Sequence, residues 1–132
     1  MEGGQTNEFR PLILVAEDDD SNFKLIKAII GKKCDIQWAK NGEEIVALFK
    51  EYGKEAKAIL MDIKMPVMNG LDATKIIRGE NKEIPIIMQT AYAFSSDKEN
   101  AMNAGASEVL VKPITLSILR NTLTKYFPEL VW

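Results

Sequence analysis

Histidine is absent from the 132-residue chain. That absence excludes serine-histidine-aspartate triads, zinc sites of the usual type, and any role as a phosphohistidine donor. Cysteine occurs once, at Cys34, so neither an intrachain disulfide nor a cysteine metal cluster is available, and a spectator thiol is the expected role. No apolar run approaches the roughly 20 residues that span a bilayer, and the opening MEGGQTNEFRP has no apolar core of the signal-peptide kind. The expected location is therefore cytosolic, with no membrane contact by this domain. Excess charge is missing as well. With 17 basic against 19 acidic residues and a net charge of −2, there is no positive field to hold nucleic acid directly. No Walker motif is present, which argues against nucleotide hydrolysis.

What is there suits one compact domain. Hydrophobic residues make up 46% and charged residues 27%, enough apolar material for a real core. Residues 1–10 carry Gly3, Gly4, Gln5, Thr6 and Asn7 without periodicity and are expected to be a flexible tail, leaving 11–132 as the domain.

From Pro11 onward short apolar runs alternate with longer amphipathic stretches, the pattern of repeated strand-then-helix units. Strands are expected over Leu12–Ala16, Asp35–Ala39, Ala58–Met61, Ile84–Gln89 (despite Pro85) and Val109–Val111. The first helix should run to Gly31, capped by Ser21 or Asn22, with Phe23, Ile26 and Ile30 on its apolar face. The second enters at Asn41-Gly42 and runs through Glu51 on a stripe of Ile45, Leu48 and Phe49, ending at Tyr52-Gly53. A loop over Met65–Gly70 precedes a helix from Leu71 to Arg78, stopped by Gly79. A helix over Ser95–Ala104, capped by Ser95 or Ser96 and ended at Gly105, precedes the last strand. The final helix spans Ile114–Tyr126 with Leu116, Leu119 and Leu123 inward. Strands apolar throughout need helices on both faces, so the fold class is α/β, a three-layer doubly wound five-stranded parallel sheet.

In such sheets ligands sit beyond the carboxyl ends of the strands. The first strand runs into Glu17-Asp18 and the third into Asp62. Were those strands adjacent, three carboxylates would crowd one edge, an arrangement that calls for a hard divalent cation such as Mg²⁺. Acidic residues after a strand ordinarily cap the next helix, and Asp19 and Asp20 fit that lesser role. Thr90 and Lys112 fall at the ends of the fourth and fifth strands, supplying a hydroxyl and a cation for phosphoryl oxygens. Pro113 follows Lys112, with the isomer of its peptide bond left open. Carboxylate, metal and lysine together favour attack by an aspartate on phosphorus, giving an aspartyl phosphate.

Four short motifs in order, VAEDDDSN, MDIKMPVMNG, QTA and VKP, make the chain after Arg10 resemble the receiver domains of two-component response regulators. The resemblance implies the flavodoxin-like strand order 2-1-3-4-5. It implies that Asp62 accepts a phosphoryl group from a histidine kinase or histidine phosphotransfer protein. By the same resemblance Asp18 and Asp62 ligate Mg²⁺, Glu17 acts largely through a bound water, and the backbone carbonyl of Lys64 completes the protein ligands. Thr90 would swing toward the phosphoryl group and Lys112 would pair with it, shifting two conformations of the last strands and helices.

Three departures qualify the likeness. Val109 stands where the family usually places a switching aromatic, so output would rely on loop and helix movement or on Tyr92. Lys64 and Tyr92 stand at positions that in the family flank the path of hydrolytic water, and both, being large, are expected to alter the phosphoryl lifetime. Glu17 replaces the commoner aspartate, a variant that resembles receivers fused to sensor kinases and suggests a hybrid histidine kinase as parent chain. The competing reading is a receiver-like interaction module that is never phosphorylated. An aspartate-dependent phosphatase would want a second aspartate where Lys64 stands, and a flavin protein a phosphate-cradling loop after the first strand.

Overall fold

A computed structural model of the protein describes residues 9–91 and 96–132; the expected tail up to Glu8, and Tyr92 and Ser95, lie outside these residues. Five strands and five helices alternate along the described chain: β1 (Leu12–Ala16), α1 (Asp20–Ile30), β2 (Asp35–Ala39), α2 (Gly42–Tyr52), β3 (Ala56–Asp62), α3 (Gly70–Glu80), β4 (Ile86–Thr90), α4 (Asp97–Ala104), β5 (Glu108–Val111) and α5 (Leu116–Tyr126). All the strand pairings are parallel, in the order β2-β1-β3-β4-β5. Both the α/β class and the 2-1-3-4-5 order match expectation.

The period of two along each strand sorts the core into two layers. Leu14, Ala16, Ile59, Met61, Ile86 and Met88 face Ile45, Phe49, Ala73 and Ile77 of α2 and α3. Their neighbours Ile13, Val15, Ala58, Leu60 and Ile87 face Ile26, Ile30, Leu119 and Leu123 of α1 and α5. The central strands are apolar throughout because both faces are covered: Ile13 to Ala16 and Ala58 to Met61 have no exposed surface. A strand buried on both faces keeps its carboxyl end rigid, and the side chains that follow it inherit that rigidity.

Several boundaries differ from the sequence reading for identifiable reasons. The cap of α1 is Asp19, whose carboxylate accepts the Asn22 N–H at 3.0 Å; this is the capping role expected of the acids after β1, and neither Ser21 nor Asn22 takes it. Helix α3 runs through Gly79 and ends at Asn81. A side chain at Gly79 would meet nothing, so this glycine lies on the open side of the helix. Asn81 turns the backbone extended and takes the N–H groups of Glu83 and Ile84 on its side chain. Strand β4 starts after Pro85, not at Ile84, because the Ile84 N–H is spent on Asn81; Pro85 contributes only its carbonyl, to the Ile59 N–H. Ser96 stands at the cap of α4 without a side-chain capping bond. Leu116 is half exposed, so the inward face of α5 is carried by Leu119, Thr122 and Leu123. Phe23 is only partly buried and stacks on Trp38.

The folded part also begins earlier than Pro11. The Phe9 ring lies 6.0 Å from that of Phe127, and the Arg10 guanidinium donates to the carbonyls of Gly31, Lys32 and Cys34 and to Asp35.

Candidate functional site

The parallel register brings the chemistry-bearing side chains to one edge. Ala16 pairs with Met61, Asp62 with Gln89 and Thr90 with Val111. The residues that follow β1 and β5 therefore meet the last residues of β3 and β4: Glu17, Asp18, Asp62, Thr90 and Lys112 converge as the sequence placed them. Gly70 makes the approach possible at Asp62. Its N–H donates to the Ile63 carbonyl at 2.8 Å, and a Cβ there would collide with the Asp62 carbonyl oxygen.

Carboxylate oxygens of Glu17, Asp18 and Asp62 lie within 4.8 Å of one another, with Glu17 and Asp62 buried and Asp18 exposed. Glu17 has no exposed surface. Its Oε2 accepts the Asp19 N–H at 3.2 Å, but its Oε1 is buried without a hydrogen bond. Burial first, and the charge of Asp62 second, push its carboxyl up to about 7. A buried acceptor with no donor is costly, and a second carboxylate beside it adds repulsion. A divalent cation would answer both, and a donor set made only of carboxylate oxygens suits Mg²⁺ or another hard ion. The residues thus fit the metal that the sequence called for.

Lys112 supplies the opposite charge. Its Nζ lies 3.0 Å from Asp62 Oδ2 and 3.6 Å from Glu17 Oε1. Burial alone would lower its pKa, but the hydrogen bond and charge of Asp62, with Glu17 behind it, outweigh that and hold the ammonium above the ordinary lysine value. The backbone ties the lysine to the end of β4 as well, its N–H donating to the Thr90 carbonyl at 2.7 Å; the Lys112-Pro113 peptide that follows is cis.

Asp62, Lys64, Thr90 and Lys112 line one small cavity of about 150 Å³ at this edge. The Thr90 hydroxyl donates to Asp97 Oδ2 at 3.1 Å, on the first turn of α4. That partner was not foreseen, because nothing local to Asp97 marks it as anything but a first-turn helix acid. Trp38 was missed as well. Its indole N–H donates to the Glu17 carbonyl at 2.8 Å from the end of β2, a contact across 21 residues that no local pattern announces. Val109 packs against the core on the α2–α3 side.

The family model for the response regulator receiver domain matches residues 13–124. Hybrid signal transduction histidine kinase I of Dictyostelium discoideum is 37% identical over 129 residues, covering 89% of this chain but 7% of that protein. Among solved structures, the receiver domain of a sensor histidine kinase from Pseudomonas aeruginosa PAO1, with a magnesium ion coordinated in its active site cleft, superposes with a TM-score of 0.83 at 30% identity, over 91% of this chain and 99% of that one. A Saccharomyces cerevisiae receiver domain, crystallised with a histidine phosphotransfer signaling protein, superposes with a TM-score of 0.83 at 28% identity, over 92% and 93% of the two chains. This chain spans less than a tenth of the Dictyostelium relative.

Proposed function

Because the chain belongs to the response regulator receiver domain family, we propose that Asp62 is its phosphoryl acceptor, working with Lys112 and Thr90 over a Mg²⁺ site formed by Glu17, Asp18, Asp62 and the Lys64 carbonyl. The observation that carries this reading is the buried Asp62 carboxylate, held 3.0 Å from Lys112 and beside the orphaned Oε1 of Glu17. It combines a nucleophile, a cation and an unmet demand for more positive charge.

In the transfer, an Asp62 oxygen forms a bond to phosphorus as the bond to the donor histidine nitrogen breaks. The ring takes the electron pair of the breaking bond and, carrying a proton on its other nitrogen, leaves as neutral imidazole. Held by Glu17, Asp18, Asp62 and the Lys64 carbonyl, Mg²⁺ would supply positive charge for the phosphoryl oxygens. Lys112 turns from the carboxylate to a phosphoryl oxygen with little movement, since it already sits at hydrogen-bond distance. Thr90 must give up Asp97 to do the same. That exchange ties the chemistry to α4 and, because Val109 replaces the usual aromatic, makes Thr90 and α4 the moving parts of the switch. The only enzymatic act this assigns to the chain is on itself.

The donor would be a histidine kinase or a histidine phosphotransfer protein. A groove of about 310 Å³ is lined by Asn22, Leu25 and Ile26 of α1, Gln89 of β4, and Pro113 and Ile114 before α5, with Lys112 among its walls. Leu25 is half exposed beside it. A largely apolar groove that shares Lys112 with the acceptor's cavity suits a helical partner presenting a histidine. The hybrid kinases among the relatives support a place for the chain within, or beside, such a kinase, and we place it on the cytosolic side. None of the helices described is long and apolar enough to cross a membrane.

Intact mass measured after incubation with a small phosphodonor and Mg²⁺ tests the assignment. One acid-labile phosphate adduct is expected, absent from Asp62→Asn and from a chelated sample. An adduct that persists in Asp62→Asn would place the acceptor elsewhere. No adduct, together with no binding of beryllofluoride, would leave only a receiver-like interaction module.

A further inference from the structure

We propose that Trp38 is a positioning residue for the acidic pair: its indole N–H fixes the peptide joining Glu17 to Asp18 and thereby sets the affinity of the carboxylate cluster for Mg²⁺. The proposal rests on the metal-holding role given to that cluster above.

Ala16 is the last residue of β1 and pairs with Ala39, the last of β2. One residue further, the Glu17 N–H still donates to the Ala39 carbonyl at 2.9 Å. The Glu17 carbonyl lies beyond the strand, and it is a side chain, the Trp38 indole, that donates to it at 2.8 Å. Two consecutive residues of β2 thus hold both polar groups of the Glu17 backbone.

Fixing that carbonyl fixes the plane of the Glu17–Asp18 peptide, and the two carboxylates branch from its two ends. The consequence differs for each. Glu17 is enclosed and bonded to the Asp19 N–H, so the core already restrains it. Asp18 is exposed. No packing aims its side chain, and the orientation of the preceding peptide does most of that work. A metal site gains affinity when its ligands are held before the ion arrives.

The indole is itself held. Its ring stacks on Phe23 of α1, with centroids 4.0 Å apart and planes 1° from parallel. The Lys40 ammonium lies 4.9 Å from the ring centroid and 3.7 Å from Asp20 of α1. A tryptophan serving only to cover α1 would need the ring and not the N–H. Phenylalanine at this position supplies the ring alone, which is the basis of the test.

Calorimetric Mg²⁺ titrations of the full chain compare wild type, Trp38→Phe, which keeps an aromatic face and loses the donor, and Phe23→Leu, which loses the stack and keeps the donor. Trp38→Phe is expected to weaken Mg²⁺ binding about threefold to tenfold, the equilibrium consequence of losing one hydrogen bond. Phe23→Leu should lower the melting temperature yet bind Mg²⁺ within about twofold of wild type. In Trp132→Phe, where Trp38 is the remaining tryptophan, emission should change on adding Mg²⁺ with the midpoint found by calorimetry. The proposal is overturned if Trp38→Phe binds Mg²⁺ as wild type does, if both variants weaken binding equally, or if Trp38 emission does not respond at saturation. A wild-type chain that takes up no Mg²⁺ would be a different failure, overturning the metal site and the positioning role together.

Discussion

Replacing Glu17 with glutamine should stabilise the metal-free protein, and only above the pH at which glutamate ionises. The Glu17 carboxyl is fully enclosed, its Oε1 makes no hydrogen bond and has the Lys112 ammonium only at 3.6 Å, and Asp62 stands beside it. Its pKa is raised from 4.5 to about 7. Between those values the folded protein holds a proton that the unfolded chain has released. Wild-type stability in chelator is therefore greatest at or below the unfolded value and falls as pH rises through the folded one. The gap corresponds to about 3 kcal/mol by linkage. A buried amide that is not fully hydrogen-bonded gives back about 1 kcal/mol. Glu17→Gln at pH 8 should then be more stable than wild type by about 2 kcal/mol, or about 6 °C in melting temperature for a domain of this size. At pH 5 the two should nearly coincide.

Thermal or urea denaturation in chelator across that range, repeated in excess Mg²⁺, gives the answer. Mg²⁺ should stabilise wild type strongly at pH 8 and the variant less, since binding the native state alone adds stability by mass action. Parallel stability curves for the two proteins from pH 5 to pH 8 in chelator would refute the reasoning, because they would mean that the carboxylate is no burden in its folded setting.

Two further predictions concern the scaffold. Arg78 donates to the carbonyls of Gly105 and Asn81 and to Ser107 Oγ, joining α3 to the segment before β5; Arg78→Ala should cost about 2 kcal/mol in urea denaturation, and a loss under about 0.5 kcal/mol would show those carbonyls to be satisfied otherwise. Val67 holds a φ of 70° while 72% exposed, in a tight turn where the Met68 N–H donates to the Pro66 carbonyl. Glycine there removes the strain and loses little packing, so Val67→Gly should raise stability by about 1 kcal/mol, and a lower melting temperature would contradict it.

The legibility of this chain divides by range. Apolar strands and amphipathic helices are local patterns, so all five of each were readable, and so were the carboxylates, threonine and lysine at strand ends. What misled were residues whose local meaning is ambiguous. Gly79 reads as a stop, but a glycine on the open side of a helix costs only about 1 kcal/mol and does not end it. Ser21, Asn22 and the acids before them all look like caps, and only the fold selects Asp19, whose carboxylate reaches the N–H three positions on. Leu116 fits the apolar period but falls in the first turn of α5, where it remains half exposed.

By itself the sequence determined the alternation of elements, the two-sided burial of the central strands, and a set of reactive groups each lying at or just past the carboxyl end of a strand. Those follow from side-chain period and from chain order, which need no knowledge of what packs where. Tertiary structure alone decided the energetics of the site. The Glu17 carboxylate becomes buried and orphaned, Lys112 comes within 3.0 Å of Asp62 across 50 residues, Thr90 turns to Asp97, and Trp38 reaches the Glu17 carbonyl. Distance, burial and the direction of a hydrogen bond depend on which strands are neighbours and in what register. Such contacts join residues far apart in the chain, and local pattern carries no record of them.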